Sequence, residues 1–235
     1  MPLTIKEDTS CYASELLQDV LGHMSEIDIV AKNFFVTGGT TLTVFYLHHR
    51  VSEDIDFFST DFTDLNAVDI VLKRLFKKDL TVIQSFSAFY SYLIKGVKVD
   101  VVFDPLSTIE SRPLVNLEVG KDIFVDTLAN IASNKLSAMA SRSEAKDLID
   151  FYFIGDIVWK GRKKDSFLDC YDMAKKKEAL FDDPPMVAYQ IEELFNRVIT
   201  EKENALPPMK KKIDWEIFQK DLRFYIDTIY HLEKW

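Results

Sequence analysis

Phe35-Val-Thr-Gly-Gly-Thr-Thr-Leu42 and, eight residues on, Arg50-Val-Ser-Glu-Asp-Ile-Asp-Phe-Phe58 decide the reading of this chain. A short apolar run leads into paired glycines, and a helix-length stretch follows. Gly38 and Gly39 remove side chains where the backbone must turn sharply and where a ligand must come close. Thr40 is expected to cap a helix running to about His48, with Leu42, Phe45 and Tyr46 as its apolar positions. Free amides at such a helix start form an anion site. Asp54 and Asp56 then flank Ile55, and alternation in a strand puts both carboxylates on one face, with Ile55 and Phe57 on the other. Two like charges so close raise each other's pKa unless a cation lies between them. Magnesium suits that role, because it takes one or two protein carboxylates and fills its shell with water and phosphate oxygens. Ser52 either reaches a phosphate or caps the turn.

A second strand is expected at Val97-Lys-Val-Asp-Val-Val102, where Val97, Val99 and Val101 share one face and Lys98, Asp100 and Val102 the other. Asp100 is thus a candidate third carboxylate, as metal ligand or as general base toward an attacking hydroxyl. Residues 126–155 read as one long helix supported by Leu128, Ile131, Leu136, Met139, Leu148, Ile149 and Tyr152. On that helix Lys135, Arg142 and Lys146 fall near one stripe, a clamp for phosphate charge. His48 and His49 have no metal-ligand spacing to other His or Cys residues.

With these residues the chain resembles the polymerase-beta-like nucleotidyltransferase superfamily. More narrowly, it resembles the AbiEii-type (abortive-infection toxin) nucleotidyltransferases. The resemblance is carried by Gly38, Gly39, Thr40, Leu42, His49, Arg50, Ser52, Asp54, Asp56, Phe57 and Phe58, then by Lys135, Arg142, Lys146, Asp147 and Asp150 in order. It implies metal binding by Asp54, Asp56 and Asp100, and catalytic roles for these three with Lys135 and Asp147. It also implies nucleotide binding by Gly38, Gly39, Thr40, Ser52, Lys135, Arg142 and Lys146, with Lys135 touching the triphosphate. Two departures stand out: Thr37 replaces an apolar residue, and the stretch from Gly39 to Asp54 is slightly longer than usual.

The implied activity is magnesium-dependent transfer of a nucleoside monophosphate from an NTP to an acceptor, RNA such as tRNA or a protein side chain, by a toxin paired with an antitoxin protein. A catalytically silent nucleotide-binding regulatory module and a small-molecule transferase of the aminoglycoside-modifying kind are the alternatives.

The 235 residues carry a net charge of −9, against wholesale nonspecific nucleic-acid binding. Local basic runs at Lys160-Gly-Arg-Lys-Lys164, Lys175-Lys-Lys177 and Lys210-Lys-Lys212 are the candidates for RNA contact. Cys11 and Cys170 stand far apart and read as free thiols of a cytoplasmic protein. No apolar stretch is long enough to cross a bilayer, and the polar start lacks the features of a secretory signal.

The expected fold is α+β. A polymerase-beta-like mixed sheet with flanking helices forms a catalytic domain over residues 1–125, and a C-terminal helical bundle over 126–235 contributes to the active cleft. Helices are expected near 14–27, 65–77, 166–181, 184–203 and 214–235. Strands are expected near 33–36, 81–86, 88–95, 97–103 and 117–119.

Overall fold

The computed structural model describes residues 4–61, 64–107 and 111–232. The chain divides into two compact units, Met1–Leu128 and Ala129–Trp235. In the first, helices α1 (Glu15–Ser25) and α2 (Asp28–Asn33) precede strand β1 (Phe35–Thr37), a helical segment α3 (Gly38–Thr41) continued by a π-helical stretch (Leu42–Leu47), and strand β2 (Asp54–Ser59). Helix α4 (Leu65–Phe76) leads to strands β3 (Leu80–Phe86), β4 (Phe89–Ile94) and β5 (Val97–Phe103). The sheet order is β1-β2-β5-β4-β3. β2 and β5 run parallel, and every other neighbouring pair in this sheet is antiparallel. This is the mixed sheet with flanking helices that the sequence pattern calls for.

Alternation works as expected on the two central strands. Ile55, Phe57, Val97, Val99 and Val101 are buried, while Asp54 and Asp56 stay partly accessible on the other face. Leu17, Leu21, Met24, Phe45, Val68, Leu72 and Tyr92 are also core residues of this unit. Burying a side chain of this size stabilises by roughly 1.5–3 kcal/mol.

The expected first helix, 14–27, is interrupted. Ser14 caps α1 by accepting from the amide of Leu17, the helix ends at Ser25, and extended Ile27 starts α2. The strand expected at 117–119 is a loop. The Glu118 amide donates to the buried carboxylate of Glu7 at 2.6 Å, so its hydrogen bonding is met without a strand partner. A hairpin of β6 (Leu114–Val115) and β7 (Ile123–Phe124) flanks it instead.

The second unit is helical: α5 (Leu128–Ser141, whose first residue closes the first unit), α6 (Ala145–Ile157), α7 (Lys163–Lys175), α8 (Pro184–Glu201) and α9 (Trp215–Tyr230). Pro184 and Pro185 open α8, where proline's missing amide costs nothing, and Asp183 caps it through the amide of Met186. The final residues of the expected 214–235 helix, 233–235, lie outside the described residues. The core is aromatic: Phe151 packs edge-on against Trp159, Phe167 and Tyr225 at centroid distances of 5.3–6.1 Å.

The single helix expected over 126–155 is two. Ser143 adopts φ 53°, and its amide reaches back to the carbonyl of Ala138, ending α5. α6 restarts at Ala145. Lys135, Arg142 and Lys146 therefore do not form one helical stripe. The break has a chemical result: it lets Asp147 and Asp150 of α6 return to Lys135 of α5.

Candidate active site

In the first unit, β2 and β5 bring the acidic residues together by register. Asp56 pairs with Asp100, and Asp54 with Lys98, across the parallel strands. Partners in a parallel register share a face, so three carboxylates and one ammonium stand on the same side of the sheet. Ser91 donates to Asp100 Oδ1 at 2.5 Å and Lys98 to Oδ2 at 2.6 Å. Burial works to lower the Lys98 pKa, but the hydrogen bond and charge of Asp100, with the charges of Asp56 and Asp54, outweigh it and push the ammonium above its ordinary value. Lys98 is thus a charged member of the acidic face that sequence reading left unassigned. Its place two residues before Asp100 was the available signal.

The glycines lie against this face. Thr37 pairs with Asp56 across β1 and β2, so Gly38 follows directly beside the carboxylate. Gly38 has φ 70°, and a Cβ there would fall 2.0 Å from Asp56 Oδ2. Only a residue without a side chain leaves room for the carboxylate. A Cβ on Gly39 would meet the Arg50 guanidinium at 2.5 Å and Ser52 Oγ at 3.5 Å. The paired glycines therefore separate two functions: the first admits Asp56, the second Arg50.

Thr40 sits inside the helix rather than at its cap. Helical hydrogen bonding begins at the carbonyl of Gly38, whose own φ is left-handed, after extended Thr37. The buried Thr40 hydroxyl hydrogen-bonds with Ser52 Oγ at 2.8 Å and with the carbonyl of Asp54. Ser52 is buried too. Both hydroxyls fasten the glycine helix to the start of the Asp-x-Asp strand. Thr37, the departure from an apolar position, donates to the buried carboxylate of Asp126 at 2.5 Å. Asp126 also accepts from the Thr127 amide at 2.9 Å and faces Arg112 at 3.6 Å. Sequence reading missed this support, because nothing in a lone Asp before a helix marks a partner 89 residues away.

In the second unit, Lys135 Nζ lies 2.9 Å from Asp147 and 2.6 Å from Asp150, with all three buried. Arg142 adds two hydrogen bonds of 2.8 Å to Asp147. Burial alone would raise the Asp147 pKa, yet the Lys135 charge and the hydrogen bonds and charge of Arg142 hold it below the ordinary carboxyl value. Arg142, Lys146 and Arg197 line a cavity of about 570 Å³ together with Ser143, Glu144 and Pro207. The basic runs are partly consumed internally: Lys177 is held by Asn130, Ser133 and Asn134 at 2.5–2.8 Å, and Lys163 by Asp221. Lys160, Lys164, Lys176 and Lys210 to Lys212 are exposed.

A family model described as nucleotidyl transferase AbiEii toxin, type IV TA system, matches residues 20–233. The chain belongs to the AbiEii family. It is accordingly a nucleotidyltransferase of the toxin–antitoxin class. Among solved structures, JHP933 from Helicobacter pylori is similar with a TM-score of 0.53 at 19% identity, covering 94% of this chain and 95% of that one. MenT4, a nucleotidyltransferase toxin from Mycobacterium tuberculosis, is similar with a TM-score of 0.53 at 14% identity, covering 92% and 84%. At such identities the likeness is one of fold. No curated protein sequence matches the chain. No helix among the described residues is long and apolar enough to cross a membrane.

Within the AbiEii pattern, the acidic face suits a hard divalent cation. Its donors are carboxylate oxygens, and the missing side chain at Gly38 is what lets the Asp56 carboxylate seat itself there.

Proposed function

We propose that this AbiEii member transfers a nucleoside monophosphate from an NTP to RNA, with a tRNA end as acceptor, in a magnesium-dependent reaction. The observation that carries the reading is the register of Asp54, Asp56 and Asp100 on one face, with the Gly38 backbone seated against Asp56. Asp54 and Asp56 are the proposed magnesium ligands, and Asp100 is the third carboxylate of the set. A magnesium ion bound there supplies alignment of nucleophile and leaving group and neutralises charge on both oxygens. Gly38 and Gly39 offer backbone amides to phosphate, and Thr40 and Ser52 keep those amides in place from beneath. Arg142 and Lys146 are assigned to triphosphate charge. Lys135, expected to touch the triphosphate, is given a different role, which is to fix the direction of Arg142 together with Asp147 and Asp150. The exposed lysines of the helical unit favour a polyanionic acceptor, and an antitoxin protein is the expected partner in the cell.

The test is incubation of the protein with magnesium, each α-labelled NTP in turn, and total RNA and protein from a cell extract. Label enters RNA in the expected outcome, and Asp54→Ala abolishes it. Label confined to protein would overturn the RNA acceptor. Label in neither fraction, with every NTP, would overturn the transfer reading for these acceptors.

A further inference from the structure

The segment before α1 is bound along the glycine helix. The amides of Lys6 and Asp8 donate to the carbonyls of Phe45 and Val44 at 3.2 and 2.9 Å, and the Ser52 amide donates to the Cys11 carbonyl at 2.9 Å. This arrangement brings together three side chains of different ligand chemistry. Donor atoms of Asp8, Cys11 and His48 all lie within 4.8 Å of one another. Cys11 is buried, while Asp8 and His48 are partly exposed. His48 ends the π-helical stretch with φ 49°, and its Nδ1 lies 3.1 Å from the Thr43 carbonyl and 3.8 Å from Asp8 Oδ2. Asp8 Oδ1 is turned to the amide of Ser10 at 3.1 Å, which fixes the carboxylate and points its other oxygen at the imidazole.

We infer that Asp8, Cys11 and His48 form a second cation site, distinct from the acidic face and selective for zinc-type ions. The donor set decides the class. One thiolate, one imidazole and one carboxylate are a borderline-soft combination that favours zinc over magnesium. Zinc bonds of about 2.0–2.3 Å require tetrahedral donors roughly 3.4–3.8 Å apart, a contraction that the two partly exposed side chains supply by rotating. Solvent takes the fourth position. The site would cross-link the leading segment to the far end of the helix that starts at Gly38. Through the Cys11 carbonyl it also acts on Ser52, two residues ahead of Asp54. Its occupancy would stiffen the approach to the catalytic strand without supplying a reacting group.

The experiment uses the full chain, stripped with a chelator and titrated with cobalt in the presence of excess magnesium. The expected result is a cysteine-to-cobalt charge-transfer band in the near ultraviolet that saturates at a single equivalent and is displaced by zinc. Cys11→Ser eliminates the band, and Cys170→Ser and Asp54→Ala leave it intact. His48→Gln and Asp8→Asn each weaken cobalt binding by about tenfold or more with an unchanged circular dichroism spectrum, which decides the matter even if Cys11→Ser does not fold. Absence of the band in the unaltered protein, its survival in Cys11→Ser, its loss in Asp54→Ala, or undiminished binding by both His48→Gln and Asp8→Asn would overturn the assignment.

Discussion

Gly38→Ala isolates the seating of Asp56. The added Cβ would fall 2.0 Å from Asp56 Oδ2, so the carboxylate must retreat by roughly 1.4 Å to reach ordinary contact. Misplacing a reacting group by about 1 Å costs on the order of 100-fold in rate, and the loss in kcat/KM should be at least that. Stability suffers separately. A non-glycine residue at positive φ costs about 1–2 kcal/mol, and overpacking adds about 1–3 kcal/mol, within the roughly 5–15 kcal/mol that a domain has in hand. Two glycines separate the causes. Gly96 has φ 88°, and a Cβ placed there would meet nothing within 4 Å, so Gly96→Ala carries the backbone strain alone. Gly39 lies outside the positive-φ set, and its Cβ would meet the Arg50 guanidinium at 2.5 Å, the end of a flexible side chain. Label transfer from an α-labelled NTP and urea unfolding are measured on all three. The ordering expected is a severe loss of activity in Gly38→Ala, a milder one in Gly39→Ala, and reduced stability with retained activity in Gly96→Ala. If Gly38→Ala were no less active than Gly96→Ala, the carboxylate would not depend on the glycine and the argument would fail.

Three further outcomes are expected. Lys135→Met leaves Asp147 and Asp150 buried without the ammonium that lies 2.9 and 2.6 Å from them, and should destabilise the helical unit by about 3–5 kcal/mol; a loss under about 1 kcal/mol in urea unfolding contradicts this. Asp147 has a depressed folded pKa, so its contribution to stability is complete above the ordinary 3.8 and is lost as pH falls through the lower folded value. The stability gap between the unaltered protein and Asp147→Asn should therefore narrow below that pH, and a gap that widens in acid would refute it. Lys98→Met removes a cation from among three carboxylates. Because its side chain is 48% exposed, the effect is screened to about 1 kcal/mol or less, seen as up to about fivefold tighter manganese binding by calorimetry; weaker binding would count against the shared acidic face.

The central strands were legible because burial on one face writes a two-residue period into the chain. Ile55 and Phe57, and Val97 to Val101, could alternate in only one useful way, and that placed Asp54, Asp56 and Asp100 on the opposite face. What escaped was settled by contacts distant in sequence or by single turns. No periodicity announces that Ser143 will take a left-handed conformation, because the apolar residues on either side continue a plausible helical pattern. Thr40 looks like a cap because it follows two glycines, yet helical hydrogen bonding already starts at the Gly38 carbonyl and the hydroxyl goes inward to Ser52. Asp126 and Thr37 meet only once β1 and the start of α5 are in place. Asp8, Cys11 and His48 have no recognisable spacing, since the leading segment and the helix end are joined by backbone hydrogen bonds rather than by sequence order.

The π-helical winding of Leu42–Leu47 bears on how this part of the chain tolerates changes in length. A π turn accommodates one more residue than an α turn within about the same rise, so one residue of added length between Gly39 and Asp54 can be taken up inside the helix. Neither Gly38 nor His48 has to shift. A single-residue deletion within that stretch can be absorbed by rewinding to α geometry, leaving both ends near their places. The same deletion within β2 would turn its carboxylates to the opposite face of the sheet. The helix thus acts as a slack link in front of a strand that has none.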